Sequence, residues 1–174
     1  MYRQFPRGRI ERIYLHWTAG DYTTVYPSYH YCVVERDGMA VVEATNDLRL
    51  NMRDVRSLAD GSYVAHTAGR NSFAAGVAIA AMRDATPQNF GAYPMTQAQI
   101  DAMSSLVARI AATYGIPIDR EHVMTHAEAA VDDGYFGSGE GERWDIARLA
   151  PRVDPLTKHD AREAGDALRA RIRA

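Results

Sequence analysis

His16, His126 and Asp145 are residue types from which an open zinc site is built: two neutral imidazoles and a carboxylate, with one position left for water. Zinc held in this way lowers the pKa of its bound water to about 7, which is the chemistry of hydrolysis at neutral pH. His16 stands near the end of the apolar, aromatic run Arg12-Ile13-Tyr14-Leu15-His16-Trp17, which Thr18-Ala19-Gly20 breaks. A polar side chain at the end of a buried strand sits where an open α/β sheet meets solvent, and such sheets keep their chemistry there. His126 ends a second short run, Val123-Met124-Thr125, and Asp145 follows in Arg143-Trp144-Asp145. Taken singly, His16 also reads as an ordinary core histidine. Asp145 also reads as the N-cap of a short helix Ile146–Leu149, a role compatible with ligation.

Other chemistries are excluded. Gly137-Ser138-Gly139-Glu140-Gly141-Glu142 is glycine-rich, but it follows no strand, opens no helix and carries acids, so it reads as loop rather than as a phosphate cradle. His126-Ala127-Glu128 begins like a zinc deaminase signature, whose Pro-Cys-x-x-Cys partner is impossible with one cysteine, Cys32. That cysteine sits mid-strand and reads as a small core residue. HExxH and GxSxG are both missing. A formal net charge of −2 offers nucleic acid no electrostatic footing. Residues 1–9 have charge without an apolar run, and no stretch reaches the roughly 20 apolar residues that span a bilayer. The expectation is a monomer that binds neither nucleic acid nor membrane and is cytoplasmic in the cell that makes it.

The elements that must position these residues read as one α/β domain over 1–174, a central mixed sheet flanked by helices. After the first strand, Tyr29–Arg36 and Met39–Ala44 alternate about Asp37-Gly38, a strong two-residue hairpin signal. Asn46–Asp60 is polar, with a short helical turn. Ala75–Met82 is a small-residue apolar run suited to a strand buried on both faces. Thr96 and Gln99 form a capping box for a helix with Ile100, Met103, Leu106, Val107 and Ile110 at helical spacing, ended by Gly115. Glu121–His126 reads as a strand, Ala127–Glu142 as a long loop, and Thr157–Ile172 as an amphipathic helix with Ala161, Ala164, Ala167, Leu168 and Ile172 inward.

Several stretches, in order over about residues 10–150, resemble zinc-dependent N-acetylmuramoyl-L-alanine amidases, whose fold is shared with T-odd phage lysozymes and peptidoglycan recognition proteins. His16-Trp17-Thr18-Ala19 is similar to that family's opening motif, and Tyr29-His30-Tyr31 with Arg36-Asp37-Gly38 to its hairpin strand. Ala65-His66-Thr67-Ala68-Gly69-Arg70-Asn71 through Gly76-Val77-Ala78-Ile79 resembles its His-loop-Asn and following strand. Thr125-His126 and Arg143-Trp144-Asp145 resemble the segments that close the site. The resemblance implies zinc on His16, His126 and Asp145, Tyr29 near the metal, and Arg143 in place of a usual lysine. Arginine keeps the charge but does not give up a proton near neutral pH. Some members carry a glutamate base where Ala78 and Ala80 stand; Glu128 is a substitute base or a plain loop carboxylate. His66 and Asn71 contact substrate or fix their own loop. His30 alternates away from Tyr29 and reads as structural, and His122 and His159 read as surface residues.

The implied activity is hydrolysis of the amide between N-acetylmuramic acid and L-alanine in peptidoglycan or muropeptides. Without a wall-binding domain, without the glutamate base and with a glycine-rich loop by the site, the chain reads as a phage or prophage endolysin that acts on the wall after release. The alternatives are a cytoplasmic muropeptide-recycling amidase, a non-catalytic peptidoglycan-binding module, and an inhibitory partner protein.

Overall fold

The computed structural model describes residues 4–59 and 61–174. The first three residues of the charged N-terminal stretch, and Asp60 at the end of the polar stretch 46–60, lie outside it. Five strands form one mixed sheet: β1 (Arg12–Trp17), β2 (Tyr31–Arg36), β3 (Met39–Ala44), β4 (Ala74–Ile79) and β5 (Val123–Thr125), in the order β3-β2-β4-β1-β5. β2 and β3 are antiparallel, and the other pairs are parallel. The β2–β3 turn places Asp37 at φ +51° and Gly38 at φ +75°, the doubly left-handed hairpin its sequence called for.

Among the described residues three α-helices pack on this sheet, α1 (Gln97–Tyr114), α2 (His126–Asp133) and α3 (Lys158–Arg173), and the polar stretch after β3 holds the short 3-10 turn Leu48–Asn51. β1 and β4 alternate across two layers. Ile13 and Leu15 of β1 and Ala75, Val77 and Ile79 of β4 join Met103, Val107 and Ile110 of α1 and Leu168 and Ile172 of α3 in the main core. Tyr14 and Ala74 face the other way, into a small cluster with Met124 and Ala129. Every residue of β4 is buried, as a strand covered on both faces requires. In α3 the expected inward residues are buried except Ala167, which is exposed.

Two expectations for the chain after β5 are overturned. The strand is only Val123–Thr125, and the stretch expected to be loop from 127 begins with a two-turn helix. Thr125 Oγ1 accepts from Glu128 N–H and the Glu128 side chain accepts from Thr125 N–H, a reciprocal cap that starts α2 at His126. Gly134, at φ +83°, ends it, and only the remainder through Glu142 is loop. Nor does Asp145 open a helix: Ile146 sits at φ +57°, where a right-handed helix cannot continue, and residues 145–147 form a tight turn.

Candidate metal centre and cleft

β1 aims His16 to the same side of the sheet as Tyr14. The side chain is fully buried, beside Ala78 of β4. His126, the first residue of α2, reaches it from the neighbouring strand–helix junction. Asp145 arrives on the tight turn, whose backbone is tied to α2 by Ala127 N–H donating to Asp145 O. A β-branched residue such as Ile146 in the left-handed region costs on the order of 1–3 kcal/mol, so the surrounding packing enforces this turn. Part of that packing is the edge-on contact of Trp144 with Trp17, at 5.1 Å between rings.

Three atoms converge. His16 Nδ1 and His126 Nδ1 are 3.1 Å apart, His126 Nδ1 and Asp145 Oδ2 3.2 Å, and His16 Nδ1 and Asp145 Oδ2 3.6 Å. A tetrahedral zinc with bonds of about 2.0–2.1 Å sets its ligand atoms roughly 3.3 Å apart. The triangle is therefore one face of such a tetrahedron, and the donor set fits zinc. Burial pulls His16 down to about 4, against the pull of its contact with Asp145. Burial pushes the Asp145 carboxyl up, but its bonds with His126 and His16 outweigh this and hold it well below the usual carboxylate range. The His16 imidazole can thus present a lone pair to a cation at neutral pH while the Asp145 carboxylate stays charged.

Around the triangle lies a row of aromatic and imidazole rings. Tyr29 is 5.0 Å from His16 between ring centroids, and its hydroxyl donates to Trp17 O at 3.4 Å. Burial, reinforced by the charge of Asp145, pushes its phenol far above the usual value. His16 Nε2 is 3.3 Å from Thr67 Oγ1, which is 3.0 Å from His66 Nδ1. His66 is driven well below the ordinary imidazole range, first by burial and then by His16 and His30. It fits only because β4 carries glycine at 76, where a Cβ would stand 2.5 Å from the His66 ring. His30 does not turn to the opposite face. It precedes β2, so strand alternation does not apply; its ring stands 5.7 Å from His66, and its Nδ1 accepts from Gly76 N–H. His159 is exposed, and His122 is half-buried beside Asp119.

The triangle opens on a cleft of about 500 Å³ lined by Tyr29, His66, Thr67, Asn71, His126, Tyr135, Arg143 and Asp145, among others. The expected metal, catalytic and substrate residues Tyr29, His66, Asn71, His126, Arg143 and Asp145 thus meet around one cavity, with His16 beneath its floor. Arg143 is exposed on the rim. Asn71 Oδ1 accepts from His66 N–H and Thr67 N–H, so its side chain holds the loop that carries both. Arg70 secures the same loop from outside through a bidentate pair with Asp133 at the end of α2. Thr67 and Tyr135 went unnoticed in the sequence. Tyr135 lies 6.0 Å from the His126 ring, its hydroxyl is buried without a partner, and burial pushes it up to about 12. Glu128 is neither a cleft base nor a loop carboxylate: it is buried in the α2 cap and ion-paired with Arg169.

Residues 6–145 match the family model described as N-acetylmuramoyl-L-alanine amidase. No curated protein matches the chain. Among solved structures, it is similar to the complex of the N-acetylmuramyl-L-alanine amidase AmiD from E. coli with the substrate anhydro-N-acetylmuramic acid-L-Ala-D-gamma-Glu-L-Lys, at 24% identity and a TM-score of 0.43 over 74% of this chain. The aligned part spans 52% of that protein's chain, about half its length.

Proposed function

This chain belongs to the N-acetylmuramoyl-L-alanine amidase family, and from that premise we propose that it is a zinc-dependent enzyme cleaving the amide between N-acetylmuramic acid and L-alanine of peptidoglycan. The observation that carries this reading is the convergence of His16 Nδ1, His126 Nδ1 and Asp145 Oδ2 to a triangle of 3.1–3.6 Å at the floor of the cleft. These three residues would hold the metal, which when bound supplies a Lewis acid and an acidified water. An intact donor set also argues against a module that only binds its ligand.

The rest of the work falls to the chain. With Nδ1 turned to the cluster, His16 donates through Nε2 to Thr67, which donates in turn to His66 Nδ1; this fixes the His16 tautomer and ring plane. Tyr29 and Arg143, both in the cleft lining, would stabilise the developing oxyanion. The raised pKa of Tyr29 keeps its proton in place as a hydrogen-bond donor. Arg143 offers permanent charge. His66 lines the cleft, and with Asn71 it would meet the substrate's peptide or shape the wall that does.

For substrate we propose the wall polymer, as for a phage or prophage lysis enzyme. The rim formed by 134–142 is a short, glycine-rich and largely exposed loop rather than a lid. A recycling enzyme acting on soluble anhydro-muropeptides is the competing reading. The test is to determine zinc stoichiometry, then offer equal amounts of intact sacculi and soluble anhydro-muropeptide and identify products by mass spectrometry. One zinc per chain and release of stem peptides from sacculi are expected. Strong preference for the soluble substrate would overturn the lysis reading and leave the amidase chemistry standing.

A further inference from the structure

Two buried ion pairs join α3, which lies wholly beyond the matched residues 6–145, to the segments that carry His126 and Asp145. The first is Arg169 with Glu128, 2% and 1% exposed. Arg169 Nη1 and Nη2 donate to Glu128 Oε2 and Oε1 at 2.9 and 2.8 Å, and Nη1 also donates to Val123 O at 2.8 Å. One guanidinium therefore grips the strand before His126 and the helix after it. Glu128 Oε2 in turn accepts from Thr125 N–H, the residue immediately before His126. α3 comes close enough because it carries Gly165, where a Cβ would stand 2.1 Å from Glu128 Oε2.

The second pair is Asp160 with Arg148, at the other end of α3. Arg148 Nη2 donates to Asp160 Oδ2 at 2.9 Å, and Nη1 donates to the carbonyls of Pro87, Arg152 and Asp154. Arg148 is three residues past Asp145, at the exit of the strained turn. Asp160 is also engaged by Arg152.

Buried ion pairs contribute little net stability compared with apolar residues of the same size, while breaking one leaves a buried charge uncompensated. Their distinctive product is a fixed geometry, because a planar guanidinium satisfied on both edges allows one arrangement of its partners. We propose that α3 acts as a two-point clamp on the metal-donor cluster, with Arg169 and Asp160 as positioning residues that set where His126 and Asp145 present their donor atoms. This inference rests on the zinc reading above.

The test measures zinc affinity by chelator competition, the visible spectrum of the cobalt-substituted protein, melting temperature, and kcat and KM. The variants are Arg169→Met, Arg169→Lys and the charge-balanced double Glu128→Gln/Arg169→Met, with Ile172→Val and Arg171→Met as controls. Ile172 packs α3 into the core, and Arg171 makes an exposed pair with Asp101, so neither touches the clamp. Loss of outer contacts to metal ligands costs about 10–100-fold in affinity. About tenfold weaker zinc binding, an altered cobalt spectrum and lower kcat at unchanged KM are expected for Arg169→Met and the double variant, with partial recovery in Arg169→Lys. Ile172→Val should lower the melting temperature and leave zinc affinity alone. A wild type that binds no zinc would overturn the metal reading and this inference with it. A zinc-binding wild type matched in affinity and spectrum by the folded double variant would overturn the clamp alone.

Discussion

Thr96–Gln99 at the start of α1 and Thr125–Glu128 at the start of α2 are the same device: a threonine that caps the helix and a side chain three residues on that caps the threonine in return. The two ends are nevertheless surrounded differently. Gln99 is neutral, and its amide donates to Ala80 O and Val33 O, so the start of α1 is satisfied by sheet carbonyls nearby in space. Glu128 is charged and buried, and needs an arginine brought from α3. The residue after the first cap is Gln97, which bonds an exposed aspartate; the residue after the second is His126, which joins the donor triangle. A capping box fixes where a helix begins, and what it delivers depends on the first helical side chain and on how rigidly the cap itself is held.

The largest expected effect separates those two side chains. His126→Ala should lose zinc and hydrolysis together, while Gln97→Ala should leave both intact. Metal analysis and a turnover assay on purified, folded variants decide this. Full zinc occupancy in His126→Ala would break the assignment.

Next in size are the groups beside the triangle that do not hold metal. Tyr29→Phe and Arg143→Ala should each keep zinc and lose about 10²–10³ in kcat, the usual cost of one oxyanion-stabilising donor. Arg143→Lys should retain substantial activity if charge rather than fork geometry is what counts. Near-normal turnover in Tyr29→Phe and Arg143→Ala would remove both from the mechanism. It would then leave the cleft side of α2 resembling the start of α1, where polar side chains only hold structure.

Acid should distinguish the surroundings of the two helices as well. α1 itself carries no histidine, whereas the face next to the start of α2 buries His16, His30 and His66. Burial pulls His30 down to about 4. The unfolded chain, with an ordinary value near 6.5, therefore binds a proton that the folded chain refuses throughout the interval between. Stability supplied by neutral His30 is fully present above about pH 6.5 and is lost as pH falls toward 4, at most about 3 kcal/mol by linkage. Protonation would also set a donor against the Gly76 N–H that Nδ1 now accepts. Urea midpoints at pH 7 and pH 4.5 should fall less in His30→Gln than in the wild type. Equal falls would exclude His30 as a source of acid sensitivity.

Why α1 was legible in the sequence and α2 was not follows from what comes after each cap. After Thr96, large apolar residues repeat at helical spacing, so cap and stripe agree. After Thr125 come Ala127, Ala129 and Ala130, fully buried but too small to draw a stripe, and then two aspartates and a glycine that read as loop. The hairpin, the buried β4 and the sheet class were legible because turn chemistry and apolar runs are local. His16, His126, Asp145 and the cleft residues were legible as types in an ordered set of motifs. Thr67, Arg169 and Asp160 were not, since each earns its place by a contact distant in the chain, such as 41 residues from Arg169 to Glu128. The turn at Asp145 misled for the opposite reason: aspartate before Ile-Ala-Arg-Leu is a good local helix start, overridden by packing that holds Ile146 in the left-handed region.

The smallest expected effect concerns the two threonines. Each hydroxyl accepts one backbone N–H, from Gln99 and from Glu128, and replacing a capping threonine by alanine typically costs about 1 kcal/mol. Thr96→Ala and Thr125→Ala should therefore lower stability by similar amounts in chemical denaturation. They should differ in zinc affinity. Thr96 lies at the edge of a helix held by the sheet, and its loss moves no donor atom. Thr125 stands two residues past Val123, whose carbonyl Arg169 grips, and immediately before the first residue of α2, so fraying there lets the His126 ring drift from the triangle. A severalfold weaker zinc affinity in Thr125→Ala alone is the expected outcome, measured well below both melting temperatures. Equal affinities would mean that Arg169 and Glu128 hold the His126 backbone without the hydroxyl, leaving this cap as purely structural as the one on α1.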